Sequence, residues 1–202
     1  MDAWRTRDIQ AELAEVAGMP VTVQNDATAA CGAELVFGTG EKPNDFLYFY
    51  FGTFIGGGLV LNGQLFTGRS GNAAGVGPML VPGPDGRMRR LITVASLSAL
   101  GAAMDAAGEA SDQLWESPGP WTISQPVLDR WMDDAAEGLA AAILSASALL
   151  ELGAVLIDGW MPPEIRAAVA ERVNAAFYRL DLAGIDPPLL REGTIGAEAR
   201  SR

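Results

Sequence analysis

The sequence predicts an α/β fold with helices layered on a buried sheet, and three runs of residues predict it. Residues 46–51, FLYFYF, are aromatic and almost wholly apolar, the pattern of a strand covered on both faces. Residues 155–157, Val-Leu-Ile, form a second apolar run that stops at Asp158-Gly159. Between them, residues 126–152 keep a helical period through Val127, Leu128, Trp131, Ala135, Leu139, Ile143 and Leu150. Buried strands interleaved with long helices belong to layered α/β domains.

Taken in order, Ile9, Leu13, Val16 and Ala17 form one apolar stripe, which predicts a helix over residues 5–17 capped by Thr6 and ended by Gly18. Residues 20–24 alternate and predict a short strand. Asn25-Asp26 then opens an alanine-rich helix running to Phe37 and stopped by Gly38. The polar link at residues 41–45 is the expected border between residues 1–44, a remnant of a first α/β domain, and residues 45–202, a second domain. After FLYFYF, Asn62-Gly63 separates Leu59-Val60-Leu61 from Gln64-Leu65-Phe66. That dipeptide predicts a hairpin, because a type I′ turn needs positive φ at both central residues. Residues 67–86 are rich in Gly and Pro and predict little regular structure. Helices resume near Thr93, and residues 111–120 read as a polar connection. Pro126 suits the first turn of the long helix. A last helix is expected over residues 164–180, with Ile165, Val169, Arg172, Val173, Ala176, Phe177 and Leu180 on one side.

Composition narrows the function. The chain of 202 residues is 49% apolar, enough for a sizeable core. Its apolar stretches are broken well before the roughly 18 residues a membrane span needs. The acidic start has no apolar leader region, so a cytoplasmic protein is expected. The net charge of −11 repels phosphate backbones, so no nucleic-acid contact is expected through this segment. With no histidine and one cysteine, an ordinary zinc site and an internal disulfide are both excluded. Cys31 reads as a small buried residue of a helix.

The motifs carry more than the periodicity does. VTVQNDATAACGAE (21–34), LYFYFGTFIGGGLVLNGQLFTG (47–68), NAAGVGPM (72–79), VASLSAL (94–100) and VLIDGW (155–160) stand in the order of the ROK family, and the chain resembles the C-terminal two-thirds of a member. The resemblance implies an actin-like ATPase (ribonuclease H-like) fold of two α/β domains around a cleft. Members are hexose kinases such as glucokinases, or repressors with an added helix-turn-helix, and they commonly pair through their second domains. The family's first phosphate hairpin lies upstream of the matched motifs, so a truncated product is expected, with apolar surface left near residues 9–37 and a homodimer as the assembly.

Within this resemblance, Asp26 is the candidate general base and Asn25 with Asp26 the candidate sugar-binding pair. A carboxylate beside a sugar hydroxyl can take its proton, and an amide can bind neighbouring hydroxyls. The competing reading makes Asp26 a helix N-cap. Gly52, Thr53, Gly56 and Gly57 resemble the second phosphate loop, since glycine lets backbone approach phosphate oxygens. Here Phe54 stands where glycine is usual, and a glycine-rich turn without a ligand is the competing reading. In NAAGVGPM the family's sugar-binding Glu and its sugar- and zinc-binding His align with Gly75 and Pro78. A further Glu aligns with Ile92. The cysteine cluster aligns with PGPDGRMRRL, where Arg87, Arg89 and Arg90 offer an anion contact or a solvated loop. Glu34 reads as a helix-surface or interdomain residue. Asp158-Gly159 matches the family's Gly-Gly near adenosine only at its second residue, and Trp131 and Trp160 read as packing residues.

The expectation is therefore a ROK-type sugar-sensing or structural portion of a transcriptional regulator, without effective kinase activity. It needs no cofactor and no zinc, and its one small-molecule partner is a weakly bound sugar. The alternative is an ATP- and Mg2+-dependent hexose kinase whose N-terminal phosphate loop is not in this chain.

Overall fold

The computed structural model describes residues 7–201. Its elements are α1 (Ile9–Ala17), α2 (Asp26–Phe37), β1 (Phe46–Phe51), β2 (Ile55–Leu61), β3 (Gln64–Leu65), β4 (Leu80–Pro82), β5 (Met88–Arg90), α3 (Leu97–Ala106), α4 (Gln113–Glu116), α5 (Gln125–Ser147), β6 (Ala154–Gly159), α6 (Pro163–Phe177) and β7 (Leu189–Glu192). Short 3-10 turns span Leu91–Thr93 and Gly196–Arg200.

The sheet order is β3-β2-β1-β6-β7. β1 pairs antiparallel with β2 and parallel with β6, and β6 pairs parallel with β7. β1 thus lies at the centre, and all six of its residues are buried. Alternation sends its side chains to two cores. Leu47, Phe49 and Phe51 join the larger core with residues of α3, α5 and α6, where Phe51 meets Trp131 edge-to-face at 5.9 Å. Phe46, Tyr48 and Tyr50 face the smaller core with Ala27, Ala30 and Cys31 of α2 and Ala199. The molecule is therefore layered, with α2 and the Gly196–Arg200 turn on one side of the sheet and the helices α3, α5 and α6 on the other.

The turn at Asn62-Gly63 has φ of 53° and 71°, as the hairpin requires. α5 and α6 lie against each other through buried Ala135, Ala136, Leu139, Ile143, Val169, Val173 and Ala176. Arg172 bridges them outside, pairing with Asp129 and with Asp133 at 3.0 Å.

Several expectations are corrected. α1 starts at Ile9, because Asp8 is its N-cap and accepts from the Ala11 amide at 3.0 Å; Thr6, the predicted cap, lies outside the described residues. Residues 20–24 form no strand, since no described strand lies beside them to complete a ladder. α5 stops at Ser147 and not Leu152. Residues 67–86 are not uniformly irregular, because Leu80–Pro82 pairs with Met88–Arg90 as a two-stranded hairpin. The connection at residues 111–120 contains the short helix α4, and β7 and the Gly196–Arg200 turn lacked a periodic signal.

The expected apolar surface is present. α1 has no buried residue, Val16 is 86% exposed, and Leu13, Met19, Val23, Val36 and Phe37 are exposed with it. No described helix is long and apolar enough to cross a membrane.

Candidate functional site

The site is built where α2 begins. Asn25 is extended (φ −62°, ψ 137°) and caps the helix: its Oδ1 accepts from the amides of Ala27 at 3.1 Å and Thr28 at 3.3 Å. The cap is thus Asn25, one residue earlier than the competing reading placed it. Asp26 is the first helical residue. Its Oδ1 accepts from the Ala27 amide at 2.9 Å, while its Oδ2 faces Arg200 Nη1 at 3.3 Å. The Asp26 side chain is 64% exposed. The carboxylate thus stands at the positive end of the helix dipole with most of its surface open to the outside.

The glycine-rich segment reaches the same place from the sheet. Gly52 and Thr53 make the bend between β1 and β2, whereas Gly56 and Gly57 lie inside β2. A Cβ on Gly56 would sit 2.6 Å from the Ala27 Cβ, and one on Gly58 would overlap Cys31. α2 can lie this close to β2 only because those positions carry no side chain. On the other face, a Cβ at Gly57 would meet the Ala74 carbonyl at 2.8 Å. The bend itself is tied to the start of α3. The carbonyls of Gly52 and Thr53 accept from the amides of Leu97 and Ser98 at 3.2 and 3.1 Å, and Ser96 Oγ accepts from the Ile55 amide at 2.8 Å. Phe54 projects from the bend and is 62% exposed. The glycines are thus taken up by helix and loop packing, and the first amides of α3 already have partners.

One loop is tied to the start of α2. Gln24 Nε2 donates to the Gly71 carbonyl at 3.3 Å, which ties residues 71–78 to the start of α2. Gly75 and Pro78 are exposed and bring no hydrogen-bonding side chain. The β4–β5 hairpin, aligned with the zinc loop, does not fit a zinc ion. Arg89 pairs with Asp85 at 2.8 Å, the chain has no histidine, and its one cysteine is a buried residue of α2. Burial, with Glu34 adding a smaller effect, pushes the Cys31 thiol up to about 12, so it stays protonated and is no ligand or nucleophile. A cavity of about 750 Å³ between this hairpin, α3 and α5 is lined by none of Asn25, Asp26, Gly52, Thr53, Gly56 and Gly57.

Sequence reasoning missed what holds the far side of the site. Two buried carboxylates fasten residues 193–200. Glu34 accepts from the amides of Thr194 at 2.9 Å and Ile195 at 3.2 Å and from the Thr194 hydroxyl, with Lys42 Nζ 3.6 Å away. Asp158 accepts from the Tyr48 hydroxyl at 2.9 Å, the Gly159 amide at 2.9 Å, the Gly196 amide at 3.0 Å and Arg166 Nη1 at 3.3 Å. Burial raises the Asp158 carboxyl above its ordinary value, while the Gly159 amide, Arg166, the Gly196 amide and the Tyr48 hydroxyl pull it down. These anchors carry Arg200 over the ring of Tyr50 at 5.3 Å and near that of Trp160 at 6.0 Å, onto Asp26. The partners lie up to 174 residues apart, so no local pattern announces them.

Known proteins are similar to this chain in sequence and in fold. The bifunctional enzyme NanE/NanK of Brucella melitensis biotype 1 is 35% identical over 142 residues, covering 70% of this chain and 27% of that enzyme. The xylose repressor of Bacillus spizizenii is 33% identical over 78 residues, covering 39% of this chain and 20% of the repressor. The ROK hexokinase of Thermus thermophilus superposes with a TM-score of 0.71 at 28% identity, over 95% of this chain and 66% of that one. The chain thus matches about a quarter of the first curated relative and two-thirds of that kinase, and it has the actin-like fold that the motif order implies. The ROK family model matches residues 2–109, more than half of the sequence and including both the α2 start and the glycine-rich strand, and the chain belongs to the ROK family.

Proposed function

We propose that this chain is the sugar-sensing or structural portion of a ROK transcriptional regulator, a cytoplasmic homodimer without effective phosphoryl transfer of its own. The observation that carries this reading is the glycine-rich segment, whose bare α-carbons are used against α2 and Ala74 and whose bend is docked on α3. Phosphoryl transfer depends on fixing the transferred group in line and surrounding it with charge. A base alone supplies about 10²–10⁴-fold, too little without that positioning.

Sugar binding rests on Asn25 and Asp26. The Asn25 carbonyl is spent on the cap, which leaves its NH2 for a hydroxyl, and Asp26 offers an exposed oxygen. Charged acceptors are missing at Gly75 and Ile92. At roughly 1.5–3 kcal/mol for each charge-assisted hydrogen bond, their loss weakens binding by about 3–6 kcal/mol if additive, turning a micromolar ligand toward millimolar.

The hexose-kinase reading is favoured by the kinase relatives, NanE/NanK and the ROK hexokinase. Calorimetric titration of hexoses, with a coupled assay for ATP hydrolysis, separates the two. The sensor reading predicts weak sugar binding lost in Asp26→Ala and no sugar-stimulated turnover. Stimulated turnover abolished by Asp26→Ala establishes the kinase instead.

A further inference from the structure

The geometry points to Arg200 as the residue that selects an acidic sugar, one bearing a carboxylate or phosphate, at the Asn25-Asp26 site. This rests on the reading of Asn25-Asp26 as the ligand site and adds the ligand's charge class.

Arg200 is held by two different kinds of contact. One is the ion pair to Asp26 at 3.3 Å, with the Arg200 side chain 37% exposed and that of Asp26 more so. A pair this exposed is worth little and opens easily, because water and salt compete for both charges. The other is the pair of rings. The guanidinium carbon lies 5.3 Å from the centre of the Tyr50 ring and 6.0 Å from that of Trp160. Those rings are themselves fixed: the Tyr50 hydroxyl donates to the Ala197 carbonyl at 3.0 Å, and Trp160 Nε1 donates to the Leu114 carbonyl at 3.0 Å. Attraction between a cation and a ring face survives when the ion pair opens. The turn behind Arg200 is pinned by Asp158 at Gly196 and by Glu34 at Thr194 and Ile195.

A sugar hydroxyl reaching Asp26 therefore displaces the guanidinium from Oδ2 without releasing it from the site. The freed N–H groups are a planar fork matched to a carboxylate or phosphate. A neutral hexose leaves that cation facing the site with its partner taken away. An acidic sugar replaces the partner, so its anionic group restores what its hydroxyl removes. The neighbouring rim gives a neutral sugar little compensation, since Gly75 and Pro78 bring no side-chain hydrogen bonds.

The test is calorimetric titration of D-glucose, D-glucuronate and D-glucose 6-phosphate against the full chain, Arg200→Gln, Arg200→Lys and Asp26→Ala, at two salt concentrations. The full chain is expected to bind at least one acidic sugar about tenfold more tightly than D-glucose or better, and Arg200→Gln to remove that preference. Arg200→Lys, with the charge but not the fork, is expected to keep part of it. Which acidic sugar is preferred tells carboxylate from phosphate. No preference in the full chain, or a preference that survives Arg200→Gln, overturns the selecting role of Arg200. If all binding is lost in Asp26→Ala, that failure leaves the site itself standing. Sugar binding indifferent to Asp26→Ala overturns the site and this inference together, and so does the absence of binding by all three sugars. A thermal melt of Arg200→Gln close to that of the full chain excludes loss of fold as the cause.

Discussion

Substituting Gly56 by Ala tests whether the glycines of β2 serve packing. The added Cβ would stand 2.6 Å from the Ala27 Cβ, against about 3.5–4.0 Å for relaxed carbon contact. α2 must retreat by about 1 Å, and because Cys31 abuts Gly58 further along the same strand, the whole helix moves or the chain strains. Overpacking of this kind costs about 1–3 kcal/mol. For a chain of this size each kcal/mol lowers the melting temperature by roughly 2–4 °C, so Gly56→Ala should fall by about 2–12 °C. Removing the opposing carbon relieves the clash. Ala27→Gly alone should cost about 0.5–1 kcal/mol through helix propensity. The double variant should then be more stable than the two single losses predict, by about 1 kcal/mol or more. Chemical denaturation of the four proteins measures the cycle. Additivity within about 0.3–0.5 kcal/mol would refute the reasoning, because it would mean that the two positions do not press on each other.

The remaining predictions concern the anchors and the surface. Glu34→Ala strands Lys42 and the amides of Thr194 and Ile195, and should destabilise by about 3–5 kcal/mol in urea denaturation, whereas Arg172→Ala, which breaks half-exposed pairs, should cost about 1 kcal/mol or less. The Asp158 carboxyl is raised in the folded chain, so the native state holds that proton above the unfolded value of 3.8. Its contribution is greatest below that value and falls as pH rises through the folded one, so the stability difference between the full chain and Asp158→Asn should shrink as pH rises above about 4; a difference that grows contradicts the direction of the shift. The exposed apolar side chains of α1 should drive association, which light scattering would read as a dimer or larger species, and Val16→Asp should weaken it; a monomer at high concentration counts against this.

Much of the fold was legible because its signals are local. FLYFYF, the Asn-Gly turn and the helix opened at Asn25-Asp26 each carry their reason within a few residues. The strand expected at residues 20–24 failed because alternation says which side chains would face a core but not whether a neighbouring strand exists to take the backbone hydrogen bonds. β7 escaped notice because it is held by pairing with β6, and the Gly196–Arg200 turn because buried Glu34 and Asp158 fasten it through Thr194 and Gly196, which lie 160 and 38 residues from those carboxylates. At the site, Asn25, Asp26 and the glycines were visible as a motif, and the geometry adds capping and packing work that the motif does not announce. The glycines' use against α2 depends on an interlayer distance that no spacing along the chain encodes. Arg200 carries no motif at all, and its place follows only from the tertiary anchors behind it.

The central claim is that Asp26 marks a ligand site in a chain that does not transfer phosphoryl groups. Isothermal titration of a hexose panel with its acidic derivatives against the full chain and Asp26→Ala, with ATP hydrolysis followed in parallel, tests it most directly. The account predicts weak binding that disappears in Asp26→Ala and hydrolysis that no sugar stimulates. Sugar-stimulated hydrolysis that depends on Asp26 would contradict it in favour of a kinase, and tight binding unaffected by Asp26→Ala would contradict the placement of the site.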